Sequence, residues 1–147
     1  MKKYNIVCEP VAGYALKGEK ICDSCAAARI ARNIYEKEKL QIPLKEYVVL
    51  VLVNNKCTPI GWHVVSEGGT TSSVIDSKII GKCICDTMAT GCVLVHNHPS
   101  GTLEPSSCDK AVTERIKNVA CVFDCKLLDH IILSEDGFFS FCEEGLI

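Results

Sequence analysis

The sequence predicts an α/β fold. Helical and β-type hydrophobic periods alternate along the chain. One run, Tyr47-Val48-Val49-Leu50-Val51-Leu52-Val53, has the β-branched content of a strand buried on both faces. Short clusters of turn residues, not long linkers, separate the segments.

Residues 1–20 read as irregular, with Pro10 and two glycines. Asp23 or Ser24 can cap a helix running to about Leu40, because Ala27, Ile30, Ala31 and Ile34 recur at helical spacing. Pro43 blocks its continuation. Glu46 opens the apolar strand, and Asn54-Asn55-Lys56 forms a turn into a second strand, about Ile60 to Val65, that Gly68-Gly69 breaks. A helix is predicted over Asp76 to Ala89, with Ile80, Cys83, Ile84 and Met88 on one face and Gly91 as its C′ residue. Cys92 to His96 is a short buried strand that runs into the turn-rich loop Asn97-His98-Pro99-Ser100-Gly101. A third helix spans about Ser106 to Val119. Strands Leu127–Leu133 and Phe138–Phe141 follow, joined by a hairpin turn at Glu135-Asp136-Gly137.

The bulk numbers agree with one domain and exclude some classes of function. The 147 residues, 48% hydrophobic and 23% charged, suit a single globular core over residues 1–147. A net charge of −2 gives no support to general nucleic-acid binding, which calls for a basic excess. No apolar segment follows Lys2 and Lys3, and the longest apolar run falls far short of the roughly 20 residues of a membrane helix. A cytoplasmic protein with no membrane partner is expected. Eleven cysteines cannot all pair internally, and in a reducing compartment thiols are the default. Most, such as Cys83, Cys92 and Cys121, stand where a small hydrophobe would serve. Cys22-x-x-Cys25 has no second close pair to complete a zinc site.

The chemistry is expected at His96, His98 and Asp109. Alternate strand residues share a face, so the two imidazoles can converge on one ion. Zinc binds imidazole readily and favours four ligands. Asp109, beyond a loop that returns a helix start to the strand end, is the third ligand, and the fourth position is left to water. Taken singly these pieces say little. His-x-His pairs often bind nothing, and Ser106-x-x-Asp109 is also an ordinary helix start.

Taken together they form a signature. His96-x-His98, seven residues, then Ser106-x-x-Asp109 is the JAMM (MPN-plus) pattern, and His96-Asn97-His98-Pro99-Ser100-Gly101 with Pro105-Ser106 and Asp109 resembles the RadC family. Leu127-Leu128-Asp129-His130-Ile131-Ile132 and Gly69-Thr70 add to the likeness, which covers roughly residues 45–147. The resemblance implies a cytidine-deaminase-like JAB/MPN domain, a mixed sheet flanked by about three helices. It implies one Zn2+ per chain on His96, His98 and Asp109, and no other cofactor. Glu46 would carry the proton between the activated water and the leaving group, with Glu67 as the alternative. The Ser106 hydroxyl would steady the oxyanion, a role compatible with capping its helix. The implied reaction is hydrolysis of a peptide or isopeptide bond. The rivals are a DNA-repair-associated protein, acting on nucleic acid or as an accessory, and a non-catalytic binding domain. Oligomeric state is left open.

Asn97 must point away from the two histidines and is read as structural. Asp129 and His130 are read as a structural pair or as partners of the ligands. His63 is read as a packed or surface residue, and Cys108 as a soft ligand the family does not require. Two departures stand out. Ile75-Asp76-Ser77-Lys78 replaces the Pro-Arg pair common in RadC proteins, and a chain this short leaves no room for their N-terminal helix-hairpin-helix region. Both weaken the case for a shared substrate and for a DNA role.

Overall fold

A computed structural model describes residues 19–68 and 75–147. The expectations for residues 1–18 and for Gly69-Thr70 lie outside the described residues. Among the described residues, five strands and three helices follow one another as α1 (Ser24–Lys37), β1 (Tyr47–Val53), β2 (Pro59–Glu67), α2 (Ser77–Thr87), β3 (Gly91–Asn97), α3 (Ser107–Val122), β4 (Lys126–Leu133) and β5 (Phe138–Ser140). The strands form one mixed sheet in the order β2-β1-β3-β4-β5. Among these five strands β3 and β4 pair in parallel and the other neighbours are antiparallel, and α3 connects β3 to β4.

Side-chain alternation builds two apolar layers on this sheet. Tyr47, Val49, Val51 and Val53 of β1, with Val93 and Val95 of β3, pack on Ala27, Ile30, Ala31 and Ile34 of α1. Val48, Leu50 and Leu52, with Cys92 and Leu94, pack on Ile80 and Ile84 of α2 and Ile116 and Ala120 of α3. Both faces of the central strands are therefore covered, and every residue of β1 and β3 is buried. Each fully enclosed Val, Leu or Ile contributes about 1.5–3 kcal/mol through removal from water.

The helix starts follow the capping residues. Asp23 accepts from the Ala26 amide at 2.7 Å, and Asp76 accepts from the Lys78 amide at 2.8 Å. At α3 the Ser106 side chain and Asp109 make a reciprocal capping box.

Several details differ from the sequence reading. α1 stops at Lys37 and not near Leu40, because Lys39 turns to a positive φ. α2 is terminated by Met88 in the left-handed conformation, and Gly91 is no C′ residue. Gly91 begins β3, where a Cβ would sit 2.9 Å from Val53 Cγ2 and 3.2 Å from Leu128 Cδ1, so neighbouring strands demand its small size. α3 runs one turn past Val119. The cysteines are less buried than expected. Cys92 and Cys125 are enclosed, while Cys22, Cys25, Cys85, Cys108, Cys121 and Cys142 are exposed, and all are free thiols.

Candidate metal centre

The sheet brings the key residues to one end of its central strands. β1 and β3 are antiparallel, with Val48 opposite His96, so the start of β1 lies beside the end of β3. The even-numbered residues of β3 face α2 and α3, which puts His96 toward the start of α3. His98 lies just past β3, and its amide donates to the Leu133 carbonyl at 2.9 Å, prolonging the parallel pairing. The chain then turns sharply, with the Gly101 amide on the His98 carbonyl and Gly101 at a φ of +79°. Asp109 occupies the first turn of α3.

His96, His98 and Asp109 converge. One ligand atom from each lies within 4.8 Å of the others, and among the described residues this is the one group of three or more His, Cys, Asp or Glu side chains so arranged. His96 Nε2 is 2.9 Å from His98 Nε2 and 3.3 Å from Asp109 Oδ1. His98 Nε2 is 3.6 Å from Asp109 Oδ2.

The positions of the protons decide what this cluster can hold. His98 Nδ1 is 2.6 Å from the Thr102 carbonyl, which can only accept, so His98 carries its proton on Nδ1 and presents a lone pair at Nε2. Asp109 Oδ2 accepts from the Ser106 amide at 2.8 Å and from the Ser106 hydroxyl at 2.6 Å, leaving Oδ1 turned to His96. Acceptors thus face one another at the centre. Either a proton or a metal ion relieves that conflict, and two imidazoles with one carboxylate are a donor set suited to zinc. The same crowding shifts the ionisations. The hydrogen bond to Asp109 raises the His98 pKa, against the opposing effect of burial. Burial works against an ionised Asp109, yet the neighbouring His96 and His98 rings and the Ser106 hydrogen bonds prevail and hold its carboxyl well below the usual range.

A cavity of about 390 Å3 opens over these residues. Glu46, Glu104, Ser106, Cys108 and His130 line it with the three candidate ligands, and Val48, Ile75, Leu94 and Val112 supply its apolar wall. Glu67, the alternative to Glu46, does not line the cavity and pairs with Lys45 at 2.5 Å. Asn97 explains how Glu46 is held. Its side chain donates to the carbonyls of Ile42 and Lys45 and accepts from the Tyr47 amide at 2.8 Å, so it grips the chain on both sides of Glu46. Asn97 is wholly buried, on the sheet face opposite His96.

Asp129 and His130 have separate duties. Asp129 accepts from its neighbour's amide, from the Cys142 amide and from the Ser140 hydroxyl, fastening the chain after β5 to β4. Burial raises its pKa, with those hydrogen bonds opposing. His130 lies between His96 Nδ1, at 2.8 Å, and Thr113 Oγ1, at 2.6 Å. Burial drives its pKa down, so the ring is neutral. Thr113 had no distinguishing mark in the sequence. Helical spacing from Asp109 was the available hint, and the partner that gives it meaning lies on another strand. His63 is exposed on β2. Cys108 is an exposed thiol at the cavity rim, outside the converging group.

A family model described as the RadC-like JAB domain matches residues 21–146. Among curated proteins, a UPF0758 protein of Flavobacterium johnsoniae is 38% identical over 131 residues, which is 89% of this chain and 55% of that protein. A UPF0758 protein of Pelodictyon phaeoclathratiforme is 37% identical over 119 residues, 80% of this chain and 54% of the relative. One from Thermotoga maritima is 36% identical over 101 residues, 69% of this chain and 46% of the relative. The chain spans about half the length of the curated relatives it matches. Their names carry no activity.

Proposed function

The chain belongs to the RadC-like JAB domain family, and from that premise we propose that it is a zinc-dependent hydrolase of peptide or isopeptide bonds. The observation that carries this reading is the convergence of His96, His98 and Asp109 beneath a cavity that Glu46 and Ser106 also line. When bound to these residues, zinc supplies Lewis acidity that acidifies a water and polarises a carbonyl.

The remaining chemistry belongs to the chain's own side chains. His96 and His98 offer Nε2, and Asp109 offers Oδ1, its other oxygen being occupied by the α3 cap. Glu46 takes the proton from the attacking water on a carboxylate oxygen and delivers it to the leaving nitrogen. Ser106 gives its hydroxyl proton to Asp109 Oδ2, so helping an oxyanion requires that O–H to rotate into the cavity. Val48, Ile75, Leu94 and Val112 limit water around the reacting carbonyl.

Hydrolysis of a nucleic-acid backbone is less well supported. The charged cavity lining is Glu46, Glu104 and Asp109 with the histidines, and no lysine or arginine stands among the lining residues. A phosphodiester would meet carboxylates where it needs cations.

Metal analysis and turnover test the proposal. Protein purified without added metal should carry about one equivalent of zinc, and His96→Ala should lose it. Cleavage from a peptide and isopeptide library should appear with wild type and vanish with Glu46→Gln. Zinc content below half an equivalent that His96→Ala leaves unchanged would reject the metal site. A zinc-loaded wild type that cleaves nothing in the library would reject the hydrolase assignment for those substrates.

A further inference from the structure

We propose that His130 and Thr113 are positioning residues that hold His96 in the one tautomer able to offer Nε2 to a metal ion. The proposal rests on the reading of His96 as a ligand, but its central claim can be read on metal-free protein.

The proton count runs from α3 to the site. Thr113 Oγ1 is 2.7 Å from the Asp109 carbonyl. Two oxygens at that distance need a proton between them, and only the hydroxyl has one, so Thr113 donates to Asp109. Its single proton is then spent. The 2.6 Å contact between Thr113 Oγ1 and His130 Nδ1 must therefore be an N–H donated by the imidazole. His130 is 1% exposed, stacked on Phe141 at 4.6 Å between ring centres, and its ring nitrogens contact only Thr113 and His96. No carboxylate touches either ring nitrogen, and full burial disfavours a charged ring, so it is neutral. With the proton on Nδ1, its Nε2 can only accept. The 2.8 Å contact to His96 is then an N–H from His96 Nδ1, and the lone pair of His96 is left on Nε2, facing His98 and Asp109.

The alternative tautomer fails at a named contact. A proton on His130 Nε2 would require Thr113 to donate to Nδ1, stranding its oxygen against the Asp109 carbonyl. Asp109 thus contributes twice. Its carboxylate joins the group that could hold an ion, and its backbone carbonyl starts the chain of donors that orients His96. Asp129 backs the arrangement from behind, because its bonds to Ser140 and Cys142 seat Phe141 over the His130 ring.

Side-chain nitrogen NMR tests this directly. Metal-free wild type should show His96 protonated on Nδ1. His130→Asn, which cannot reach His96, should shift it toward the Nε2-protonated form, and His130→Gln, whose carbonyl can accept from Nδ1, should restore the wild-type signature. Zinc affinity, measured against a chromophoric chelator, should fall about 10- to 100-fold in Thr113→Val and His130→Asn and recover in Thr113→Ser and His130→Gln. A His96 ring protonated on Nε2 in wild type overturns the proposal. So does zinc affinity within twofold of wild type in folded Thr113→Val. Failure of wild type to bind zinc would instead count against the proposed function and leave the tautomer result standing.

Discussion

On the proposed reading Asp109 serves a helix and an ion at once, and the division between its two oxygens makes separable predictions. Asp109→Asn preserves much of the cap while removing the charge, so it should lose zinc with a modest change in the melting temperature of metal-free protein. Asp109→Ala should lose zinc and also the cap, about 1 kcal/mol further down in chemical denaturation. Glu46→Gln should keep one zinc and lower kcat by roughly 10²- to 10⁴-fold, whereas Glu67→Gln, on the far side of Lys45, should leave steady-state kinetics near wild type. The raised pKa of His98 predicts a pH dependence with two opposite signs. In metal-free protein the protonated pair with Asp109 contributes stability fully below the unfolded imidazole value of about 6.5, and loses it as pH rises through the raised folded value. Zinc must displace that proton, so its affinity climbs over the same window. Chelator competition at stepped pH should show the climb centred above about 6.5, and a centre at or below the ordinary value would contradict the His98–Asp109 coupling.

Among the elements, β3 does the most, because its alternation sends His96 to one face and Asn97 to the other. Asn97→Ala should cost roughly 2–4 kcal/mol, since buried carbonyls and the Tyr47 amide lose their partner. It should also lower kcat more than it lowers zinc affinity, because it releases the chain around Glu46 and leaves the ligands seated. A variant with unchanged kcat would show that Glu46 is held by something else. The strands and helices were readable because their signals are local. The apolar run of β1, the caps at Asp23, Asp76 and Ser106, and the turn before Phe138 all act within a few residues. The converging trio was readable through the joint spacing of His96, His98, Ser106 and Asp109, which resembles the JAMM pattern, since the histidine pair and the capped helix start say little singly. What escaped depends on pairing between distant segments. Gly91 is small because of Val53 and Leu128, and Thr113 matters because it meets His130, which the parallel register sets beside Leu94, two residues before His96. No window of sequence displays such neighbours. The cysteines misled because a thiol suits an apolar wall and an exposed helix face equally well.

At the scale of the molecule, bound zinc should act as a clamp between sheet and helix. Saturation at about 1,000 times Kd should add about 4 kcal/mol to unfolding, and chelation should remove it. Thermal melts with zinc and with chelator measure this, and His96→Ala should abolish the difference. Among the described residues, no helix is long and apolar enough to cross a membrane. The short chain distance between His96 and Asp109 has a kinetic meaning as well. Closing so small a loop costs little entropy compared with drawing Glu46 in from β1. A chain still searching for its strand partners can therefore gather the ion first and recruit the proton carrier later, so refolding should quicken when zinc is supplied at the start and gain little when it is added after the sheet has formed.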